Sequence, residues 1–256
     1  MSHNVCFAFS MHKAGSTLFY NLLNRAMHRA NELGLANTLR YVSIPDRLFN
    51  AGVPEQVLTD PEFPLKHNEK VADEHTLYGG FRFVPAFATD EFLADKRVMV
   101  LVRDPRDVLT SLYFSLQKSH RIPVGEAGAV MTEHKERVLT EHIDQFVSRM
   151  ARKGQWLRRF TRLGELKDLG VSWRYEDIVF DKARWLDEIL DYLEIDLPAE
   201  SRHQFVSAED IRPDQEDADK HIRQVTPGDH KRKLKAETIA ELNAIFSDTL
   251  RVWGYS

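Results

Sequence analysis

Val5–Phe9 (VCFAF) is an apolar run that passes without a break into a small polar loop, Ser10–Ser16 (SMHKAGS), and then into a helical stripe. The stripe sets Leu18, Leu22, Leu23, Ala26, Met27 and Ala30 along one side of Thr17–Leu33. Five consecutive apolar residues suit a strand buried on both faces, and a strand turning directly into a helix belongs to α/β architecture. The pattern recurs. Arg97–Val102 (RVMVLV) is the strongest strand in the chain and runs into Arg103-Asp104-Pro105-Arg106-Asp107, followed by helical spacing over Val108–Leu116. Asp104 suits an N-cap there and Pro105 a first helical position. Thr76–Val84 predicts a strand weakened by Gly79 and Gly80, Gly170–Tyr175 predicts another, and Trp185–Leu193 a helix. Strands alternating with helices predict a three-layer α/β domain. Its central parallel sheet is covered on both faces, with a P-loop-like strand-loop-helix at the N-terminus.

Between these elements the pattern is weaker. Ser43–Pro64 carries Pro45, Pro54, Pro61 and Pro64 and reads as loop with short helical pieces; Ile122–Gly128 reads as loop. Glu133–Leu163 reads as a long helical stretch interrupted at Gly154, Glu209–Asp219 as a solvated acidic loop, and Glu237–Trp253 as one amphipathic helix. No linker and no repeat breaks the chain, so residues 1–256 are expected to form a single domain.

The 35 basic and 39 acidic side chains leave a net charge of −4, which argues against general nucleic-acid binding while permitting a local anion pocket. Cys6 is the one cysteine, so no internal disulfide is expected. Val5–Phe9 is too short for a membrane span or a signal core, and a cytoplasmic protein is expected. The eleven histidines show no metal-ligand spacing, so no metal site is expected.

Two segments carry the chemistry. In Ser10–Thr17, a glycine-bearing turn into a helix aims backbone N–H groups and the helix dipole at one spot, which suits phosphate or sulfate. Lys13 adds a point charge and Ser16 and Thr17 add hydroxyls. The nucleotide-triphosphatase motif G-x-x-x-x-G-K-[ST] fits poorly, because Lys13 precedes Gly15 and Ser10 replaces the first glycine. In the second segment, Arg103 leaves the carboxyl end of a strand, where open α/β sheets place ligands, and a guanidinium grips phosphate bidentately. Ser111 follows two helical turns later. Arg106 and Asp107 read as solvated charges of a capped helix.

Together the two segments resemble the sulfotransferase family, whose members use 3′-phosphoadenosine 5′-phosphosulfate. Lys13-Ala14-Gly15-Ser16-Thr17 is similar to the family's K-x-G-[ST]-[ST] loop for the 5′-phosphosulfate. Arg103 through Pro105 and Asp107 to Ser111, a spacing of eight, is similar to its R-x-P-x-D-x-x-x-S segment for the 3′-phosphate. Tyr175-Glu176-Asp177 resembles the family's Y-E-D, whose tyrosine approaches adenine. Arg223 through Gly228 and Asp229 to Lys231 resembles its late loop over the 3′-phosphate, although Gln224 and Val225 replace a lysine and a glycine and only Arg223 carries over. Leu18 stands where many members have a tryptophan. The resemblance spans residues 5 to about 253.

The resemblance implies sulfuryl transfer to an acceptor, expected to be a hydroxyl of a small molecule, lipid or glycan, without a metal and with 3′-phosphoadenosine 5′-phosphate as product. Lys13 would neutralise the leaving bridging oxygen. The strand-end histidine of cytosolic members is missing from Gly79–Pro85, so the acceptor's base must be another residue. Asp46 stands roughly where a glycan-sulfating branch keeps an acid and is the expected base; His67, Glu69 and His75 remain open. Two rival readings stay open, a P-loop kinase using ATP and a non-catalytic relative that keeps the nucleotide pocket. Lys231-Arg232-Lys233 and Lys235 read as charges flanking a phosphate loop, and oligomeric state is not indicated.

Overall fold

An apolar strand buried on both faces needs neighbours on each side, and β1 (Val5–Phe9) has them in β3 (Thr76–Phe81) and β4 (Arg97–Val102). With β2 (Arg40–Ser43) and β5 (Val171–Arg174) these make a parallel five-stranded sheet in the order β2-β3-β1-β4-β5, with helices on both sides. The protein is described by a computed structural model that covers residues 4–71, 73–118, 138–211 and 225–256. The expected loop at Ile122–Gly128, the start of the Glu133–Leu163 stretch, most of the acidic run and Arg223 lie outside these residues.

The helices in chain order are α1 (Ser16–Glu32), α2 (Ile44–Asn50), α3 (Phe63–Lys66), α4 (Asp90–Leu93), α5 (Pro105–Lys118), α6 (Ile143–Arg152), α7 (Gln155–Glu165) and α8 (Tyr175–Ile178). They continue with α9 (Lys182–Leu193), α10 (Ala199–Glu209), α11 (Asp229–Lys233), α12 (Ala236–Ile245) and α13 (Ser247–Trp253). The chain divides into two compact units. One joins Met1–Val102 to Arg162–Asp210, and the other joins Arg103–Thr161 to Ile211–Ser256.

The first unit contains the whole sheet. Pairing of Phe7 with Tyr78 puts both rings on one face, where their centroids stand 5.0 Å apart and Phe92 of α4 meets Phe7 edge-on at 5.5 Å. Ala8, Met99 and Val171 share the opposite face, and Trp173, two residues on, joins them. There Phe19 of α1 and Trp185 of α9 close around Trp173. Each fully buried aromatic removes roughly 150–250 Å² from water, so these two layers are the main hydrophobic term for the unit.

In the second unit α5 packs on α6 and α11, and α6 on α12. Tyr113 meets Phe146, Phe160 meets Phe246, Ser148 donates to Glu241 at 2.8 Å, and the Lys235 N–H donates to Asp144 at 2.9 Å. The expected single closing helix is two, α12 and α13, broken at Phe246 so that its ring reaches Phe160. Gly154, with φ +68°, separates α6 from α7, as the sequence predicts. Among the described residues no helix is long and apolar enough to cross a membrane.

Candidate functional site

Beyond β1 the chain makes a tight turn in which the Ala14 N–H donates to Met11 O at 3.2 Å. Lys13 sits in the left-handed region at φ +64°, a conformation that costs a residue with a side chain on the order of 1–2 kcal/mol. Gly15 follows at φ +81°, ψ 16°, and caps α1 without a side-chain hydrogen bond. The first helical bond is Phe19 N–H to Gly15 O at 3.0 Å, so the N–H groups of Ser16, Thr17 and Leu18 precede any intrahelical acceptor. No acid stands in the first turn to offset the positive end of the dipole. A strained lysine, an uncapped helix start and two hydroxyls therefore converge on a place fitted to a phosphate- or sulfate-like anion.

Gly15 is also held by shape. Tyr175, the first residue of α8 and buried, lies against it, and a Cβ on Gly15 would stand 2.7 Å from Tyr175 Cδ2. The aromatic ring is thus a wall of the loop. Nothing in the sequence signals this contact, because α8 follows β5 some 160 residues after the loop.

Arg103, 8% exposed, opens the second unit. Asp104 caps α5 as expected: its Oδ1 accepts the Arg106 N–H at 2.9 Å. The expectation of solvated charges at Arg106 and Asp107 is overturned. Arg106 is buried and folds back on Asp104, with Nε at 3.0 Å and Nη2 at 2.7 Å, and it donates to Asn243 at 2.7 Å and to Ser256 O at 2.8 Å.

Asp107 is fully buried. It accepts from Gly228 N–H at 2.7 Å, His230 N–H at 2.9 Å and His230 Nδ1 at 2.7 Å, and Arg103 Nη2 stands 3.7 Å away. Burial works against the charged carboxylate, yet the His230 hydrogen bonds and the Arg103 charge outweigh it and hold Asp107 well below the usual carboxylate range. These residues look solvated in the sequence because the partners that bury them, Asn243, Gly228 and His230, lie more than 120 positions away. Ser111 lies half-buried on α5.

Asp46 is exposed in the first turn of α2, where its N–H donates to Ser43 Oγ at 3.2 Å. Tyr41 lies across Gly79 at the carboxyl end of β3, and burial, aided by the Asp46 charge, pushes its phenol well up. Gly80, at φ +81°, leaves the space that Ser43 fills; a Cβ there would collide with Ser43 Oγ. His67 is exposed and stacks on Phe63 at 5.0 Å, and Glu69 faces Arg47 at 3.6 Å. His75 is exposed before β3, and its carbonyl accepts the Arg40 N–H at 2.7 Å. In a parallel sheet this is the amino edge, opposite to the Lys13 loop.

A family model described as "Sulfotransferase domain" matches residues 6–254. No curated protein matches the chain by sequence. Among solved structures, mouse sulfotransferase SULT7A1 complexed with PAP aligns with TM-score 0.58 and 13% identity, over 100% of this chain and 89% of that one. Retinol dehydratase in a complex with retinol and PAP aligns with TM-score 0.56 and 16% identity, over 98% of this chain and 82% of that one. At such identity these likenesses establish a shared fold.

Proposed function

The chain belongs to the sulfotransferase family, and from that premise we propose the roles of its residues in moving a sulfuryl group from 3′-phosphoadenosine 5′-phosphosulfate to an acceptor hydroxyl. The S–O bond to the bridging phosphate oxygen breaks, a new S–O bond forms to the acceptor oxygen, and the acceptor's proton passes to a base. The product nucleotide, 3′-phosphoadenosine 5′-phosphate, leaves with the bridging oxygen's charge.

Lys13 stands against that developing charge, and Ala14, Gly15, Ser16 and Thr17 hold the 5′ end through backbone N–H groups and two hydroxyls. Arg103 and Ser111 hold the 3′-phosphate together with Arg223. Tyr175 keeps the loop in shape from behind Gly15. Asp46 is the base; its exposure leaves it open to an acceptor, and its placement in the first turn of α2 puts it after β2, on the carboxyl side of the sheet. The acceptor is a hydroxyl of a small molecule, lipid or glycan, and residues 1–256 act as one catalytic domain in the cytoplasm.

The observation that carries these assignments is the Lys13–Gly15 turn, where a left-handed lysine and an uncapped helix start meet. Calorimetric titration with 3′-phosphoadenosine 5′-phosphate, set beside ATP with Mg²⁺, tests them. Tight binding of the first nucleotide alone is expected, and tight binding of ATP with Mg²⁺ alone would overturn the reading in favour of a kinase.

A further inference from the structure

We propose that Asp107 is a positioning residue for the 3′-phosphate end of the donor, tying Arg103 and the Gly228–His230 turn to a single carboxylate. The inference rests on the assignment of Arg103 and Ser111 to that phosphate.

Both Asp107 oxygens are used. Oδ1 takes the N–H and Nδ1 of His230, and Oδ2 takes the Gly228 N–H and faces Arg103. Gly228, the cap of α11, and His230, in its first turn, thus present two backbone donors to a residue of α5, and Lys233 of α11 lies over the Phe114 ring of α5 at 5.7 Å. The imidazole depends on the same anchor. His230 is 1% exposed, and among the described residues its Nε2 has no hydrogen-bond partner, so Asp107 is what orients the ring.

The Arg103 contact differs in kind. At 3.7 Å it is an ion pair beyond hydrogen-bond distance, so Asp107 orients the guanidinium without consuming an N–H that a phosphate would need. A carboxylate in this place also lowers the local positive charge, which is unfavourable for phosphate binding by itself. Its place beside Arg103 is therefore explained by order and not by charge: a flexible arginine loses more freedom on binding than one already held.

The test measures affinity for 3′-phosphoadenosine 5′-phosphate and for adenosine 5′-phosphate, whose ratio isolates the 3′-phosphate. Asp107→Asn keeps the volume but turns one acceptor oxygen into an NH₂ that faces a backbone N–H. The ratio is expected to fall about tenfold or more, through the 3′-phosphorylated nucleotide, while affinity for adenosine 5′-phosphate changes less than about twofold. His230→Ala should reproduce the loss, and His230→Asn, whose amide nitrogen stands near the place of Nδ1, should recover most of it. A ratio unchanged in Asp107→Asn, or in His230→Ala should the first variant not fold, overturns the inference. Equal affinity of the unaltered protein for both nucleotides overturns the 3′-phosphate assignment itself.

Discussion

Tyr175 packs against Gly15 so closely that the loop has room for no side chain at that position: a Cβ would sit 2.7 Å from Cδ2 and 3.0 Å from Cε2. With φ at +81°, the glycine is required both by conformation and by space. Gly15→Ala should therefore destabilise by about 1–3 kcal/mol and weaken nucleotide binding, since the backbone donors of α1 would shift. Urea unfolding and calorimetry on the same sample measure both effects, and unaltered binding would refute the role of the turn.

Lys13 offers a cleaner separation of stability from activity. Lys13→Gly removes the side chain and relieves the left-handed strain, so it should be as stable as the parent or more stable by up to about 1 kcal/mol. Turnover should nevertheless fall by about 10²–10³, because the lysine acts on charge that develops in the transition state. A glycine variant with near-normal turnover would remove Lys13 from the chemistry.

Asp46→Asn should leave the fold intact, because the contact that starts α2 runs from its backbone N–H to Ser43 Oγ and needs no carboxylate. The variant should bind 3′-phosphoadenosine 5′-phosphate normally while turnover drops by about 10²–10⁴, the usual contribution of a positioned base. Steady-state kinetics against nucleotide affinity tests this. Full turnover would pass the role to another residue.

The buried Asp107 makes a further expectation about acid stability. Its carboxyl is held below the value it has in the unfolded chain, so the folded state gains from its ionisation at neutral pH. That contribution is complete above about pH 5, where the unfolded carboxyl is also almost wholly ionised, and is lost progressively as pH falls below it. Urea unfolding between pH 5 and pH 3 should show a steeper loss in the parent than in Asp107→Asn, the difference isolating this group from Asp144 and Glu241, which are also held low. Parallel curves would mean that Asp107 does not carry the effect.

Much of the molecule is written locally. Apolar runs such as VCFAF and RVMVLV, and the stripe from Leu18 to Ala30, reveal strands and a helix because their side-chain periods are set by the backbone geometry of each element. The Lys13–Thr17 loop and the Asp104 cap are legible for the same reason, since each acts within a few residues of itself. Edge elements are harder to see. β2 is four residues of mixed polarity that end two positions before Pro45, and α10 buries only Ser201 and Phe205, leaving no stripe to find.

The sequence by itself determined the alternation of strands and helices, and with it a parallel sheet whose carboxyl edge bears the Lys13 loop. Tertiary structure decided which charges are buried. Arg106 and Asp107 carry no local mark that separates them from the solvated charges of an ordinary capped helix, and their distant partners, Asn243, Ser256, Gly228 and His230, are brought to them only by folding. It likewise decided that Tyr175 walls in Gly15. Periodicity records how a segment pairs with its own backbone; the environment of a single ionised group depends on which distant residues surround it, and no pattern of neighbours in the chain encodes that.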